Sequence, residues 1–307
     1  MFPHKPPLTE ANLPDQQGKV FIVTGATSGV GEALASILYQ HNAKVYVAGR
    51  SEENALNVIE QIKAAYPNSQ GQLVFLSLVL DDLVLVQKAA AEFLAKETRL
   101  DVLWNNAAVM IPPQGSKTKQ GYELQLGVNN LGPFLFTQLL RPALVATAKI
   151  MPKNSVRVIW VSSSVAEVAP VPAIDLSNVN YDRDEGAWMK YVRSKAGNVI
   201  YGAEFARRTS GTGIISLSLN PGNLMTNLQR NMPRFQYAVI KLTVGQPPKY
   251  GAYTELFAGL SQAITDKDNG SWVSPYGKVE ETRKDFRDPE LGEGFWTWSE
   301  EQVRQYF

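Results

Sequence analysis

The amino-acid sequence predicts an α/β fold in which helices cover both faces of one doubly wound parallel sheet. Short apolar runs alternate with longer helical patterns through the first two thirds of its 307 residues. Most of these apolar runs are continuous rather than alternating, as expected when both faces of a parallel sheet are covered. A glycine-rich turn also joins the first apolar run to the first helical pattern. Repeated strand–helix units of this kind, connected by right-handed crossovers, give a doubly wound sheet.

Six apolar runs predict the main strands of the sheet in chain order. They are Lys19–Thr24, Lys44–Ala48, Gln72–Leu78, Leu100–Trp104, Val156–Val161 and Ile214–Leu219. The longer patterns between them predict helices at Gly29–His41, Glu52–Tyr66, Asp82–Glu97, Gly121–Ala148 and Trp188–Arg208. A short strand is expected in Ser271–Pro275, and the aromatic side chains of the amphipathic stretch Trp296–Phe307 are expected to pack rather than catalyse. No linker or repeat divides the chain, so residues 1–307 are expected to form a single domain.

Two segments interrupt the alternation of strands and helices. One, near residues 167–187, contains the polar stretch Glu167–Gly186, and the other, near residues 225–248, contains Asn231–Pro248 with three prolines. Both follow the carboxyl ends of strands, where open α/β sheets bind ligands. Each segment is either a surface connection or a lid over a substrate, and the sequence leaves both interpretations open.

The balance of charge argues against several classes of partner. The chain has 30 basic and 29 acidic side chains, and no block of like charge stands out. Neither nucleic acid nor anionic lipid is therefore expected to bind by electrostatic attraction. A small molecule held by shape and hydrogen bonds fits this composition better.

Residue usage also limits the chemistry and the location of the protein. The chain has no cysteine, which excludes disulfides and thiolate metal sites. His4 and His41 have no partners at metal-ligand spacing, so no metal site is expected. The apolar runs are far shorter than the ~20 residues of a membrane helix. With no apolar segment of the signal-peptide type at the start, a soluble, cytoplasmic protein is expected.

The turn after the first strand, T-G-A-T-S-G-V-G, predicts a site for a dinucleotide. A glycine permits a tight exit from the strand, another allows close approach of a pyrophosphate, and a third lets the helix pack on the sheet. The helix N-terminus then offers free N–H groups and a positive dipole to the phosphates. Cofactor contacts are accordingly expected from the following residues: Gly25, Thr27, Ser28, Gly29, Val30 and Gly31.

Arg50 follows the second strand, where an enzyme specific for NAD usually has an acidic side chain that binds the ribose 2′-hydroxyl. A guanidinium suits a 2′-phosphate instead, so NADP(H) is expected to be preferred over NAD(H). The alternative is that Arg50 points to water.

Tyr191 and Lys195 lie four residues apart on a predicted helix and so share one face. A free phenol has a pKa of about 10, and a nearby ammonium lowers it toward a useful range for proton transfer. Trp188, three residues earlier, either walls a substrate pocket or packs in the core. The tyrosine–lysine spacing alone is common on solvated helices.

Several motifs occur in a definite order along the chain. They are T-G-A-T-S-G-V-G, Asn105-Asn106-Ala107-Ala108 after the fourth strand, Asn129, V-S-S-S after the fifth, Y-V-R-S-K, and Pro221-Gly222 after the sixth. In these motifs nearly the whole chain resembles the short-chain dehydrogenase/reductase family, which implies a Rossmann-type fold. The stretches V-N-N-L-G-P-F-L-F-T and W-T-W-S-E-E-Q are similar to its retinol-dehydrogenase-like and fungal reductase branch.

The resemblance implies roles for four catalytic residues. Tyr191 donates a proton to a carbonyl oxygen, while Lys195 lowers the tyrosine pKa and binds the nicotinamide ribose. Asn129, preferred over Asn130, supports a water that connects Lys195 to solvent. A serine holds the substrate oxygen, and an ungapped match selects Ser163. Ser164 is the alternative if the strand end is bulged.

The resemblance also implies further cofactor contacts. They are expected from Asn105, Ala107, Tyr191, Lys195, Pro221, Gly222, Leu224 and Thr226. Two positions depart from the family pattern. Ala108 replaces a glycine, which costs little unless positive φ is needed. Val79 replaces an aspartate that binds adenine, and either Asp81 compensates or backbone groups and packing hold the adenine.

The sequence therefore predicts an NADP(H)-dependent oxidoreductase that interconverts a carbonyl and an alcohol on a mainly apolar small molecule. Reduction is the expected direction, because cells keep NADP largely reduced. Two alternatives remain open, a nucleotide-sensing regulator and a cyclase or isomerase that uses the same pocket without redox chemistry. The resemblance also suggests a homodimer formed through Gly121–Ala148 and Trp188–Arg208.

Overall fold

A computed structural model describes residues 5–224 and 246–307 of the chain. Its strands are β1 Val20–Thr24, β2 Lys44–Gly49, β3 Gln72–Ser77, β4 Val102–Asn105, β5 Val156–Val161, β6 Ile214–Leu219, β7 Trp272–Ser274 and β8 Lys278–Glu280. They form one sheet in the order β3-β2-β1-β4-β5-β6-β7-β8. All neighbours are parallel except β7 and β8. This architecture confirms the predicted doubly wound α/β sheet.

Seven longer helices connect or follow these strands in the described residues. They are α1 Gly29–Gln40, α2 Glu52–Ala65, α3 Leu83–Lys96, α4 Gly132–Ile150, α5 Ala187–Arg208, α6 Pro248–Leu260 and α7 Pro289–Val303. A short helical turn, Leu124–Leu126, and a π-helical turn, Gly127–Leu131, lead into α4. Short 3₁₀ turns lie at Ser164–Val168, Asp266–Asp268, Lys284–Arg287 and Arg304–Tyr306.

Most predicted elements agree with these bounds, and three differ. The segment predicted as one helix, Gly121–Ala148, contains the π-helical turn, because side chains there bind neighbouring segments. Helix α6 was not predicted, since its two leading prolines suggest a loop. Proline is nevertheless acceptable at the first helical position, where its missing N–H has no partner to lose. The amphipathic end of the chain begins its helix earlier than expected, at Pro289 behind the capping side chain of Asp288.

The core lies on both faces of the sheet. Successive residues of a strand point to opposite faces. In β5, Trp160 therefore belongs to the buried cluster on the face that α3, α4, α5 and α7 cover, whereas Ile159 and Val161 belong to the cluster on the face that α1, α2 and α6 cover. With both faces covered, the carboxyl ends of β1 to β6 form the open edge of the sheet.

None of the helices within residues 5–224 and 246–307 has the length and apolar character needed to cross a membrane.

Candidate active site

A cavity of about 540 Å³ opens at the carboxyl ends of β1 to β6. Thirteen residues predicted from the sequence line it: Gly25, Thr27, Ser28, Gly29, Val30, Arg50, Ala107, Ser163, Tyr191, Lys195, Pro221, Gly222 and Leu224. The predicted cofactor turn and the predicted catalytic pair therefore share one cavity. Thr226 and residues 225–245 of the second variable segment lie outside the described residues.

The glycine turn between β1 and α1 is built for close contact. Gly25 and Gly29 have positive φ angles of 68° and 64°. A Cβ atom on Gly31 would lie 2.7 Å from the carbonyl oxygen of Gly25 and 2.6 Å from Nδ2 of Asn106. Ser28 makes no side-chain cap at the start of α1. The first N–H groups of α1 are thus available to an anion in the cavity.

Thr24 holds this turn against the segment that follows β4. Its Oγ1 accepts hydrogen bonds from the backbone N–H groups of Asn106 and Ala107, each at 2.9 Å, and donates to the carbonyl oxygen of Trp104 at 3.1 Å. A hydroxyl with three backbone partners fixes the spacing of the two loops, and Gly31 fits into the space between them.

Arg50 lies on the surface directly after β2 and also lines the cavity. It forms no ion pair with any residue in the described ranges 5–224 and 246–307. Its guanidinium donors therefore remain available to a ligand at this end of the cavity.

The predicted pair on α5 is buried at the cavity. Tyr191 is 4% exposed and Lys195 is 3% exposed. Lys195 Nζ donates to the carbonyl oxygen of Val161 at 3.0 Å and lies 5.9 Å from the centre of the Tyr191 ring. The backbone at the end of β5 thus holds the ammonium beside the phenol.

Burial sets the protonation of this pair. It lowers the pKa of Lys195 to about 8, while the charge of Glu255 raises that pKa. It also raises the pKa of Tyr191 above its ordinary value of 10.0. Loss of water around the phenol is the cause of this shift, and the expected effect of Lys195 on the acidity of the tyrosine stays a prediction. Tyr191 is protonated at neutral pH, which is the form that can donate a proton.

The three adjacent serines after β5 have different surroundings. Ser162 is buried, and its Oγ donates to the carbonyl oxygen of Lys195 at 2.6 Å. Ser163 lines the cavity, and its Oγ accepts a long bond of 3.4 Å from the N–H of Val165. Ser164 is exposed and does not line the cavity. Of the three, only the Ser163 hydroxyl both faces the cavity and keeps its proton free for a ligand.

Asn129 lies in the π-helical turn and connects three segments. Its Oδ1 accepts from the N–H of Val109 at 2.8 Å, and its Nδ2 donates to the Val109 carbonyl and to Ser194 Oγ, both at 2.9 Å. Asn130 instead donates to the Ser194 carbonyl and to Asn198 Oδ1. Asn129 thus positions the loop after β4 against α5 without lining the cavity itself.

The structure corrects the placement of Asn105. Its side chain is buried and donates to Thr137 Oγ1 at 2.9 Å, so it does not line the cleft as expected. The alternation of side chains along β4 directs Trp104 to one face and Asn105 to the other. Asn106 and Ala107, beyond the end of the strand, line the cavity instead.

The structure shows how Ala108 and Val79, the two departures from the family pattern, lie relative to the cavity. Ala108 lines the cavity and is not among the residues with positive φ, so its methyl group causes no backbone strain. Val79 does not line the cavity, whereas its neighbours Leu78, Leu80 and Asp81 do. An aliphatic wall with one carboxylate therefore lies after β3.

Several lining residues were not identified from the sequence, and most of them are apolar. They include Val109, Met110, Val128 and Val165. They come from separate segments, so no local pattern reveals them. Trp188, left open above, lines the cavity with 46% of its surface exposed, and its ring centre lies 6.1 Å from that of Tyr191.

Within residues 5–224 and 246–307, no group of three or more His, Cys, Asp or Glu side chains is arranged to hold a metal ion.

Comparison with known proteins places this geometry in a family. A family described as short chain dehydrogenase matches residues 19–236. Short-chain dehydrogenase/reductase pkfC of Emericella nidulans is 54% identical and aligns with 100% of this chain and 99% of its own. The solved structure of an uncharacterized protein from Mycobacterium paratuberculosis has a TM-score of 0.75 at 28% identity, with 97% of each chain covered.

A more distant solved structure supports the same fold. The NADPH-bound carbonyl reductase from chicken fatty liver has a TM-score of 0.65 at 20% identity, covering 87% of this chain and 100% of its own. The close sequence match over the full chain and the shared arrangement of strands agree. The chain therefore belongs to the short-chain dehydrogenase/reductase family of oxidoreductases.

Proposed function

We propose that this protein is an NADP(H)-dependent reductase that converts a ketone or aldehyde on a mainly apolar small molecule to an alcohol. The observation that carries the proposal is the position of Tyr191. Its protonated phenol lies in the same cavity as a glycine turn that suits a pyrophosphate and a lysine held by the end of β5.

The described residues fit a nicotinamide dinucleotide. Gly25 and Gly29, which line the cavity, and the uncapped start of α1 suit the pyrophosphate, and Lys195 can bind the ribose near the nicotinamide. When bound, the cofactor supplies hydride to the carbonyl carbon. The protein must then hold the carbonyl oxygen and give it a proton.

Two side chains can perform these tasks. The Ser163 hydroxyl can donate a hydrogen bond to the carbonyl oxygen. Tyr191 Oη transfers its proton to the same oxygen, which completes the alcohol and leaves a phenolate on the enzyme. The neighbouring Lys195 ammonium stabilises that phenolate by its charge. Burial keeps water away from the pair and strengthens this attraction.

The walls of the cavity favour an apolar substrate. Met110, Val165 and Trp188 are among its lining residues. An apolar substrate can cover such surface and release the water around it.

Arg50 is the basis for the preference for NADP(H). Its guanidinium follows β2, the position that faces the adenosine ribose in this fold, and it has no ion partner among the described residues. The carbonyl reductase from chicken liver, whose structure contains NADPH, has the same fold. Since cells keep NADP largely reduced, the preference also favours the reductive direction.

The test combines the protein with NADPH and a panel of apolar ketones and aldehydes, and follows the loss of absorbance by the reduced nicotinamide. We expect turnover with at least one carbonyl. Tyr191→Phe should lower kcat by about 10²–10⁴-fold, the usual contribution of general acid catalysis, with little change in NADPH affinity. The matched control is Tyr201→Phe, which removes a buried hydroxyl on the same helix that contacts Ser299 outside the cavity. Its kcat should stay near the native value.

Two outcomes would contradict the proposal. Tight NADPH binding without turnover of any carbonyl would favour a nucleotide-sensing regulator. Product formation that is unchanged by Tyr191→Phe would favour a cyclase or isomerase.

A further inference from the structure

Gln125 is a buried amide that none of the steps above uses. It lies in the helical turn Leu124–Leu126, is 0% exposed and does not line the cavity. Its Oε1 accepts a hydrogen bond from the backbone N–H of Ile111 at 2.9 Å, and its Nε2 donates to the carbonyl oxygen of Ala187 at 2.8 Å. One side chain therefore ties the loop after β4 to the start of α5.

The two residues that Gln125 binds are each next to an apolar residue that lines the cavity. Met110 precedes Ile111, and Trp188 follows Ala187. Both hydrogen bonds come from one carboxamide group, so the two backbone segments lie no farther apart than a single amide can span. Gln125 therefore sets the separation of Met110 and Trp188 in the wall of the cavity.

The backbone of Ile111 has an unfavourable conformation. Its φ angle is 47°, in the left-handed region. A β-branched residue is rarely found there, because its side chain crowds the backbone. Such a conformation persists where the surrounding contacts hold it. The hydrogen bond from the Ile111 N–H to Gln125 is a contact of this kind, so loss of the amide should let the loop relax.

Asn129 makes the same kind of connection farther along α5. It lies four residues after Gln125, and its own amide binds Val109 in the loop and Ser194 in α5. Ser194 is next to Lys195, so this second amide holds the loop at the level of the catalytic pair. Gln125 holds the loop about two helical turns earlier in α5, at the level of the apolar wall.

We propose that Gln125 is a positioning residue that fixes the distance between Met110 and Trp188, and so the width of the part of the cavity that binds the carbonyl substrate. The inference rests on the function proposed above, which assigns these apolar walls to the substrate. Gln125 touches neither substrate nor cofactor and acts only through the two backbone segments that it binds. Loss of its amide should therefore weaken substrate binding and leave the reacting groups in place.

The first test compares the steady-state kinetics of the native protein and Gln125→Met, with methyl naphthyl ketone as a bulky apolar substrate. Methionine has a similar length and cannot make the two hydrogen bonds. We expect KM to rise roughly tenfold, because the wall loses both bonds that hold it. The carbonyl oxygen of Val161 still holds Lys195 beside Tyr191, so kcat should stay within about twofold of the native value.

Gln125→Asn is a second variant that keeps a polar amide in the buried site. Its side chain is one methylene shorter and cannot reach both partners, so its KM should lie between those of the native protein and Gln125→Met.

Gln16→Met is the matched control. Gln16 is 2% exposed, and its amide also accepts one bond, from Lys19 Nζ, and donates one, to the Pro14 carbonyl oxygen. These contacts lie before β1, at the end of the strand away from the cavity, so KM should be native. A native KM in both Gln125 variants, or an equal rise in Gln16→Met, would overturn the proposal. Losses of kcat and NADPH affinity as large as the rise in KM would also overturn it.

The second test does not depend on activity. Hydrogen exchange of single backbone amides, followed by NMR, should be roughly tenfold faster at the Ile111 N–H in Gln125→Met, because that N–H loses its acceptor. The Val109 N–H, which donates to Asn129, should exchange at the native rate. Native exchange at Ile111 would overturn the proposal. Faster exchange at Ile111 without turnover of any carbonyl would support the positioning role and contradict the proposed function.

Discussion

The two sides of the cavity are built by different kinds of contact. On the nucleotide side, formed by the turns after β1 and β4, backbone atoms meet backbone atoms around Thr24 and Gly31. On the outer side, where Ser163 and Val165 line the cavity, charged side chains hold the segment of residues 163–187 in place. Arg283 donates to the carbonyl oxygens of Glu167, Ala169 and Pro170, which precede it by more than a hundred residues.

Two ion pairs also hold the segment on the outer side. Arg193 pairs with Glu185 at 2.8 Å, and Lys190 pairs with Asp184 at 2.5 Å. Both cations lie on α5, so the helix that carries Tyr191 also anchors the end of the outer segment. The nucleotide side therefore depends on the absence of side-chain atoms, whereas the outer side depends on the presence of particular side chains. Substitutions on the nucleotide side should therefore weaken NADPH binding strongly. Substitutions on the outer side should weaken binding of the carbonyl substrate, and by less.

The largest effect on ligand binding is expected from adding one methyl group on the nucleotide side. Gly31→Ala would place a Cβ atom 2.7 Å from the Gly25 carbonyl oxygen, and backbone cannot move aside as a flexible side chain can. Overpacking of this kind costs up to ~3 kcal/mol, which corresponds to a roughly hundredfold loss of NADPH affinity if the turn must restore its shape to bind. Fluorescence titration with NADPH measures this loss.

Gly186→Ala is the matched control on the outer side. Gly186 begins α5 with φ of −63°, and an added Cβ would meet nothing within 4 Å. NADPH affinity should then be unchanged. If Gly31→Ala binds NADPH as tightly as the native protein, the steric account of the nucleotide side is wrong.

A smaller effect is expected from reversing the charge after β2. Arg50→Glu should weaken NADPH binding by roughly thirtyfold, because it removes charge-assisted hydrogen bonds to the 2′-phosphate and adds repulsion. NADH has no 2′-phosphate, so its dissociation constant should change much less. Lys63→Glu, on the exposed face of α2, makes the same change in net charge away from the cavity. Equal losses for NADPH and NADH would contradict the 2′-phosphate assignment.

The sequence predicts best those features that depend on residues close together along the chain. Both ends of the central strands are predicted correctly, as at Val156–Val161 and Ile214–Leu219. Strands buried on both faces are continuously apolar, and the apolar run therefore marks where each strand begins and ends. The glycine turn is equally local, because Gly25, Gly29 and Gly31 lie within seven residues and the spacing itself reflects the steric need.

Features that depend on distant contacts escaped prediction. The π-helical turn Gly127–Leu131 follows from bonds between Asn129 and both Val109 and Ser194, which local periodicity does not reveal. Asn105 was placed in the cleft because its motif is near the cavity, but its position within β4 directs it to the core. The sequence also gives no sign that Glu255 is buried, since an acid in a helix is usually exposed.

The smallest effect is expected from removing the hydrogen bonds that hold the segment after β5 on the outer side. Arg283→Ala removes the donors that hold the carbonyls of residues 167, 169 and 170, and each lost hydrogen bond weakens the tether by ~1 kcal/mol. These carbonyls belong to the 3₁₀ turn Ser164–Val168 and the residues directly after it. Ser163 and Val165, which line the cavity, should then be less well positioned. We expect KM for an apolar carbonyl to rise roughly three- to tenfold while NADPH affinity stays near its native value.

Limited proteolysis by elastase, which cleaves after small apolar residues, measures directly how much the segment after β5 loosens when the Arg283 side chain is removed. The bond after the exposed residue Val168 should be cut faster in Arg283→Ala than in the native protein. Arg287→Ala changes an exposed arginine in the 3₁₀ turn Lys284–Arg287, which directly follows Arg283, and should leave both KM and cleavage unchanged. A native KM and native cleavage in Arg283→Ala would mean that packing alone holds the outer side. A fall in NADPH affinity would mean that the two sides are coupled through Ser163 and the end of β5, since that strand also holds Lys195.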